Sequence, residues 1–475
     1  MAGLNPDLTE AWQLLCLNQF HDILTGTSVT EVFADARRDY ARIMDMAEMA
    51  AAQAAAACAL GTVSVANTAP TAGPRMVFCT ETAGAGQIVE GGALYLFDDL
   101  PAYAMTRLAQ SVQPDTPVTC RTEGDTAILE NATLRVVVGP GGQLHSVYDK
   151  VARREVLAEG QHGNQLQAFE DRPICWDAWD IDPDFEDRQE TVQGHAAPEI
   201  IESGPLRAAL RITTHWRNSR VTQAIRLCAH SNRIDFETEV DWHETHTLLK
   251  AAFPTTVTAP VAQFDIEWGM IERPTTRATA FDAARFEVPA QKWAQLAEPG
   301  YAVALLNDCK YGYDVKSATL RLTLIKSSTS PDPLADQGRH IFTYSLLPIP
   351  GADTRVLHHA AHDLNAPMRV VGATPHGAAQ TVPLVRLVAG DVIVETVKPA
   401  EDGNGIILRL YEPSGQAQTV VLEYGCVIRS AERTKFDEEP FSTLAIHGRQ
   451  ADCAVGSFEI VSIRLCQTGE PTSGH

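Results

Sequence analysis

The chain has 475 residues, with 38 Lys plus Arg against 60 Asp plus Glu and a formal charge of −22. Its 45% hydrophobic and 21% charged composition is that of a folded chain, and at roughly 150 residues per domain the length holds about three structural units. So acidic a chain repels phosphate, which excludes nucleic acid and an anionic membrane as first-choice partners. No run approaches the roughly 18 apolar residues of a membrane span.

The opening residues, Met1-Ala2-Gly3-Leu4-Asn5-Pro6-Asp7, lack the basic and apolar segments of a secretion signal. Ten cysteines are scattered without a Cys-x-x-Cys pair, the pattern of structural thiols in a reducing compartment. The expectation is a cytoplasmic protein.

The first sixty residues read as helix. Trp12, Leu14, Leu15, Leu17, Phe20, Ile23 and Leu24 lie almost all round a helical wheel, as in a helix buried on most sides. Thr25-Gly26-Thr27 interrupts the pattern, and Ser28-Val29-Thr30-Glu31 fits a capping box opening a second helix. Its stripe runs through Val29, Val32, Phe33, Ala36, Tyr40, Ile43 and Ala47. An Ala-rich stretch carries it to Leu60, with Gly61 as the stop.

From Thr62 the texture turns to short strands. Gly139-Pro140-Gly141-Gly142 separates two strand-like runs, Thr133 to Val138 and Leu144 to Tyr148. Leu206 to Ile212, Ile234 to Trp242 and Leu320 to Leu324 alternate with a two-residue period, and Val392–Val397 and Ile406–Leu410 are strand-like too. The expected class is mainly β: a helical hairpin followed by large β-sandwich domains. The expected division is a partial helical domain over 1–61, a small β domain or linking strands over 62–128, a large sandwich over 129–350 and a C-terminal sandwich over 351–475.

Four segments carry candidate chemistry. In Asn18 to Thr27, His21 and Asp22 sit side by side before a glycine break; a neutral imidazole there can bind a metal and the carboxylate can accept from a ligand. A helix-terminal His beside a capping Asp explains the same residues without function. His358 and His362 share a helix face at zinc-ligand spacing, but no Glu follows the first His, so the metalloprotease motif is absent. Trp176-Asp177-Ala178-Trp179-Asp180 interleaves indoles and carboxylates, as a sugar-binding surface does; a Trp-anchored loop at a sandwich edge fits equally well. Lys310 and Tyr311 lie in a polar, aromatic turn, Asn307 to Asp314, that either lines a cleft or closes a hairpin. Walker, dinucleotide and nucleophile-elbow motifs are all missing.

Taken in order, these stretches resemble the C-terminal two-thirds of a glycoside hydrolase family 38 α-mannosidase, closest to the cytosolic and vacuolar branch. The signposts are Gln19-Phe20-His21-Asp22, Asp171-Arg172-Pro173, Trp176 to Asp180, Lys250-Ala251-Ala252-Phe253-Pro254, Ile271-Glu272-Arg273-Pro274, Asn307 to Tyr313, Pro331-Asp332-Pro333, Asp336-Gln337-Gly338-Arg339-His340, Leu364-Asn365-Ala366-Pro367 and Leu410-Tyr411-Glu412-Pro413. The resemblance implies a retaining hydrolase of terminal α-mannosides, with a catalytic domain, a three-helix domain and β-sandwiches, the large one galactose-mutarotase-like. It implies one zinc or cobalt ion with His21 as the ligand from the helical domain, and Asp22 as a sugar contact. Trp176, Asp177, Trp179, Asp180, Lys310 and Tyr311 join Asp22 as candidate substrate-binding residues.

The family's His-x-Asp segment followed by Trp and its Asp-rich nucleophile segment do not occur in these 475 residues. The expectation is therefore that no catalytic carboxylate lies in this chain and that an N-terminal catalytic domain or subunit completes the site. Expected partners are an α-mannoside or oligomannose substrate, that N-terminal part and a second copy of the chain. The alternative readings are a stand-alone carbohydrate-binding module and a non-catalytic scaffold.

Overall fold

The computed structural model describes residues 6–58, 63–70, 72–80, 86–107, 111–372 and 384–467. Two helices open the chain, α1 (Thr9–Asn18) and α2 (Thr30–Cys58). The apolar run predicts a helix through Leu24, but α1 ends at Asn18. There the side-chain amide donates to the Leu14 carbonyl at 2.9 Å and to Asp39 Oδ2 on α2 at 3.0 Å. Residues 19–26 then form successive turns closed at Gly26, whose φ of 75° suits glycine. Several apolar side chains of the run face solvent: Trp12 is 62% exposed, Leu17 61% and Leu24 63%. The second helix begins at Thr30, two residues past the predicted Ser28 cap; its predicted stop at Gly61 lies outside the described residues.

The rest is antiparallel β-structure. A nine-stranded sheet contains Glu199–Ser203, Arg207–Trp216, Ser219–Cys228, Ile234–Trp242, Gly338–Pro350, Tyr301–Asn307, Trp293–Glu298, Val261–Ile266 and Gly269–Pro274, in that spatial order. The predicted alternation is explicit in Ile234–Trp242: Ile234, Phe236, Thr238, Val240 and Trp242 are buried and the residues between them are not. Facing this sheet are a six-stranded sheet that includes Gln165–Glu170, Thr247–Pro254 and Thr319–Ser327, and a five-stranded meander over 119–155. One core runs between them, with Leu129, Val136, Leu210, Ile225, Phe236, Phe253, Leu322 and Tyr344 all in it. Removing so much apolar surface from water is the main stabilising term of the domain.

The helix Thr354–Asn365 packs Leu357 and Ala361 against Trp293, Leu306 and Leu347. Beyond it, four- and five-stranded sheets enclose a separate core around Leu408, Leu410, Val420, Leu422, Ile463 and Leu465. The architecture is thus mainly β with a helical hairpin at its start, as the sequence predicts.

The glycine-rich turn at 139–142 is a crossing point. Gly141 has φ 73°, and a Cβ there would lie 2.4 Å from the Gly194 carbonyl oxygen. Gly141→Ala therefore meets both a left-handed backbone and immovable main chain. The expected result is a loss of more than about 1 kcal/mol in a urea titration, larger than that of Gly124→Ala, where φ of 64° carries the backbone cost alone and nothing lies within 4 Å.

Candidate functional site

The strand Gln165–Glu170 leaves the six-stranded sheet into a long excursion that carries the tryptophans. Asp171, 2% exposed, starts it: its carboxylate pairs with Lys326 Nζ at 2.9 Å and accepts from the Asp182 backbone N–H at 2.8 Å. That bond closes a loop whose ends lie eleven positions apart. Within it Trp176 has φ 61°, a left-handed conformation that a bulky residue holds only when its surroundings impose it. The Trp176 carbonyl accepts from the backbone N–H groups of Trp179 and Asp180, at 2.8 and 2.9 Å. The two indoles meet edge to face at 5.9 Å and stand out from the surface, 68% and 51% exposed.

Asp177 faces the other way. Its Oδ2 accepts from the Thr329 backbone N–H at 2.7 Å and from the Thr329 hydroxyl at 3.2 Å, its Oδ1 lies 3.6 Å from His246 Nδ1, and its carbonyl accepts from Lys326. These contacts peg the loop to the sheet. Asp180 is exposed, and its Oδ1 accepts from the Ile181 N–H at 2.9 Å.

The far end of the excursion is held by charge. Phe185 is fully buried against Phe169, and Glu186 gathers Arg277 at 2.7 Å, Lys316 at 2.9 Å and Arg321. Burial alone would raise the Glu186 pKa, but these cations hold it down to about 2.

The helical hairpin comes back onto this loop. Asp22 Oδ1 accepts from Trp179 Nε1 at 3.3 Å and from the Thr27 hydroxyl at 2.9 Å. The His21 ring, on a side chain 78% exposed, packs against Phe20 with its Nε2 3.5 Å from Asp22 Oδ2. The structure thus joins His21, Asp22, Trp176 and Trp179 into one exposed patch across 157 residues of sequence. A hydroxyl-bearing ring stacked on an indole there would meet a carboxylate acceptor at its edge.

Lys310 and Tyr311 belong to a separate turn organised by buried Asn307, whose Oδ1 accepts from the Lys310 N–H at 2.7 Å. Lys310 Nζ sits 4.7 Å from the Phe342 ring centre. Burial, with Cys309 and Asp308 beside it, raises the Tyr311 pKa. Among the described residues no hydrogen bond or ion pair links this turn to Asp22 or Trp179. His358 and His362 do share a helix face, but both are buried, and His358 packs edge-on to Trp293 at 5.6 Å.

A metal would find one imidazole and one adjoining carboxylate at the patch. Among the described residues no three His, Cys, Asp or Glu side chains come together as ligands, whereas a catalytic zinc takes about three protein ligands. The described residues therefore do not make a metal centre by themselves.

Beneath the patch, between hairpin and sandwich, lies a cleft of about 490 Å³ walled by residues 23–26, Ala178, Arg37, Tyr40, Asp336 and His340. A second interdomain bond, from the Thr30 hydroxyl to Asp332 Oδ1 at 2.6 Å, fastens the hairpin on that side. Sequence reading missed this cleft: it places Tyr40 on the apolar stripe of the second helix, and Tyr40 is 37% exposed.

The fold is that of large β-sandwiches preceded by a helical hairpin. Residues 3–58 match the alpha mannosidase middle domain, 129–334 the glycosyl hydrolases family 38 C-terminal domain, and 391–463 the family 38 C-terminal beta sandwich domain. The chain belongs to glycosyl hydrolase family 38, of which it carries middle and C-terminal domains. It is 33% identical over 477 residues to the human alpha-mannosidase 2C1, covering 96% of this chain and 45% of that protein. It is 36% identical over 322 residues to alpha-mannosidase G of Dictyostelium discoideum, covering 65% of this chain and 29% of that one. The fold matches an alpha-mannosidase of Enterococcus faecalis with a TM-score of 0.78 at 15% identity, over 96% of this chain and 63% of that one. The chain spans about half the length of the mammalian relatives, 45% and 46%.

Proposed function

We propose that this chain forms the sugar-contacting, non-nucleophile part of a retaining, metal-dependent α-mannosidase that hydrolyses terminal α-mannosides in the cytoplasm. The observation that carries the reading is the Asp22–Trp179 hydrogen bond, which builds one patch from two segments that each resemble the family. In this reading Asp22 accepts from mannose hydroxyls, Trp176 and Trp179 stack on the ring, and His21 is one metal ligand of the complete enzyme. The cytoplasmic assignment is supported by the nine described cysteines, all free. Among the described residues no helix is long and apolar enough to cross a membrane.

Retaining hydrolysis takes two carboxyl groups about 5–5.5 Å apart, and the motif that would supply the nucleophile does not occur in this sequence. The 475 residues are therefore expected to bind methyl α-mannoside weakly and to leave an aryl α-mannoside intact, even with zinc or cobalt added. Fused to the N-terminal region of a family relative, they are expected to hydrolyse it, with activity and metal content both lost in His21→Ala. Turnover by the chain alone that vanishes in His21→Ala would place the nucleophile within these residues and overturn this division of labour. Mannoside binding that ignores both metal and His21, with no rescue by fusion, is the outcome of a stand-alone binding module.

A further inference from the structure

We propose that the cleft between the helical hairpin and the large sandwich is a second sugar subsite, which holds the residue that follows the terminal mannose of an oligosaccharide. The inference rests on the mannoside reading of the Asp22–Trp179 patch and extends it from a monosaccharide to an oligosaccharide ligand.

Continuity is the first argument. The cleft wall includes Ile23 to Gly26, which follow Asp22 directly, and Ala178, which lies between Trp176 and Trp179. The same two loops therefore present one face to the patch and the other to the cleft. A saccharide whose terminal ring meets Asp22 and Trp179 has its next ring at the rim of this space.

Rigidity is the second. Two hydrogen bonds hold the walls, Trp179 Nε1 to Asp22 at 3.3 Å on the patch side and Thr30 to Asp332 at 2.6 Å on the other. The latter bond spans 302 residues of sequence and Asp332 is 6% exposed. The cleft is thus formed before any ligand arrives, and its volume of about 490 Å³ falls in the usual range of small-molecule sites, about 300–1,000 Å³.

The third argument is the chemistry of the lining. Lys326 is engaged by Asp171, and Arg339 by Glu239 at 3.1 Å through two nitrogens. Among the described residues the Arg37 guanidinium and the Tyr40 hydroxyl have no polar partner. Asp336 uses its Oδ2 only for the Lys326 N–H at 3.3 Å. A free donor fork, a phenol and a carboxylate with spare lone pairs suit hydroxyls, which both donate and accept. Leu24, Phe33 and the Tyr40 ring supply the apolar surface that a sugar's C–H face needs. An anionic ligand would gain Arg37 but face Asp336, so the lining favours a neutral saccharide.

The test is calorimetric titration of the 475-residue chain with methyl α-mannoside and with an α-linked mannotriose. The trisaccharide is expected to bind at least tenfold more tightly. Arg37→Ala and Tyr40→Ala, both on the exposed side of α2 and checked for native circular dichroism, are each expected to remove most of that gain. Arg37→Lys retains part of it, and Trp179→Ala weakens both sugars together. Equal affinity for the two sugars, or a gain that survives Arg37→Ala and Tyr40→Ala, removes the subsite and leaves the mannoside reading standing. Trisaccharide binding that depends on Arg37 but not on Trp179, with no binding of methyl α-mannoside, keeps the subsite and overturns the patch. Binding of neither sugar overturns both.

Discussion

Replacing Lys250 by Met is expected to lower the unfolding free energy by about 3–5 kcal/mol, the scale for stranding a buried charge. Lys250 is 0% exposed on Thr247–Pro254; its ammonium lies 2.7 Å from Asp314 Oδ2, bonds Glu287, and rests 5.1 Å from the Phe185 ring centre. Burial alone would depress the Lys250 pKa, but the two carboxylates more than offset it and raise it. Removal of the ammonium leaves Glu287 with the Thr323 hydroxyl, and Asp314 with Arg321 Nε at 2.7 Å, as partners. Because Arg321 also reaches Glu186, and Phe185 sits on the ammonium, the damage passes to the excursion that displays Trp176 and Trp179. A urea titration followed by tryptophan fluorescence checks both effects: a lower midpoint, and a changed native-state emission. Adding Glu287→Gln removes one stranded charge and is expected to recover part of the loss. A single variant within about 0.5 kcal/mol of the parent would show that the pair is balanced by its own desolvation.

The fold was legible where burial imposes a strict period. Ile234 to Trp242 reads as a strand because one face must enter the core, and the register with Gly338–Pro350 keeps it there. The first helix was overread because an apolar run states what avoids water, not where a backbone turns. Asn18, by donating to the chain behind it and to Asp39, ends the helix without any break in hydrophobicity. At the site, His21-Asp22 and Trp176 to Asp180 were each visible as local clusters, but their meeting depends on packing between elements 157 residues apart. Asp177 shows what composition leaves open. The left-handed turn at Trp176 directs the Asp177 side chain to Thr329, whereas composition places it on the sugar-facing surface. Lys310 and Tyr311 likewise belong to a hairpin turn whose geometry Asn307 sets.

Acidification should destabilise the protein well before carboxylate protonation begins in earnest. His358 and His362 are 6% and 7% exposed, and burial, reinforced by nearby Lys292, holds their pKa down to about 4 and about 3. The facing groups are His359 and Lys292, which oppose a proton, and Glu412, which favours one at His358. In the unfolded chain both imidazoles titrate near the ordinary 6.5. Between pH 6.5 and about 4 the unfolded state therefore takes up two protons that the native state refuses, and stability falls with pH. Asp265 works against this, since burial raises its pKa to about 6 and the native state gains a proton there first. For these three groups the balance is about one proton, or about 1.4 kcal/mol lost per pH unit and about 3 kcal/mol between pH 6 and 4; His230, which burial also holds down to about 4, steepens the loss. From the ordinary carboxylate value of 4.5 down to about 2, Glu186 adds to the loss, since the unfolded chain protonates there before the native state does. Urea midpoints measured from pH 7 to pH 4 give the slope directly. His362→Leu removes one of the two refused protons and is expected to flatten it. An unchanged slope in both His362→Leu and His358→Leu would mean that the helix Thr354–Asn365 opens enough to admit the proton, and that its packing on Trp293 is looser than the buried contacts describe.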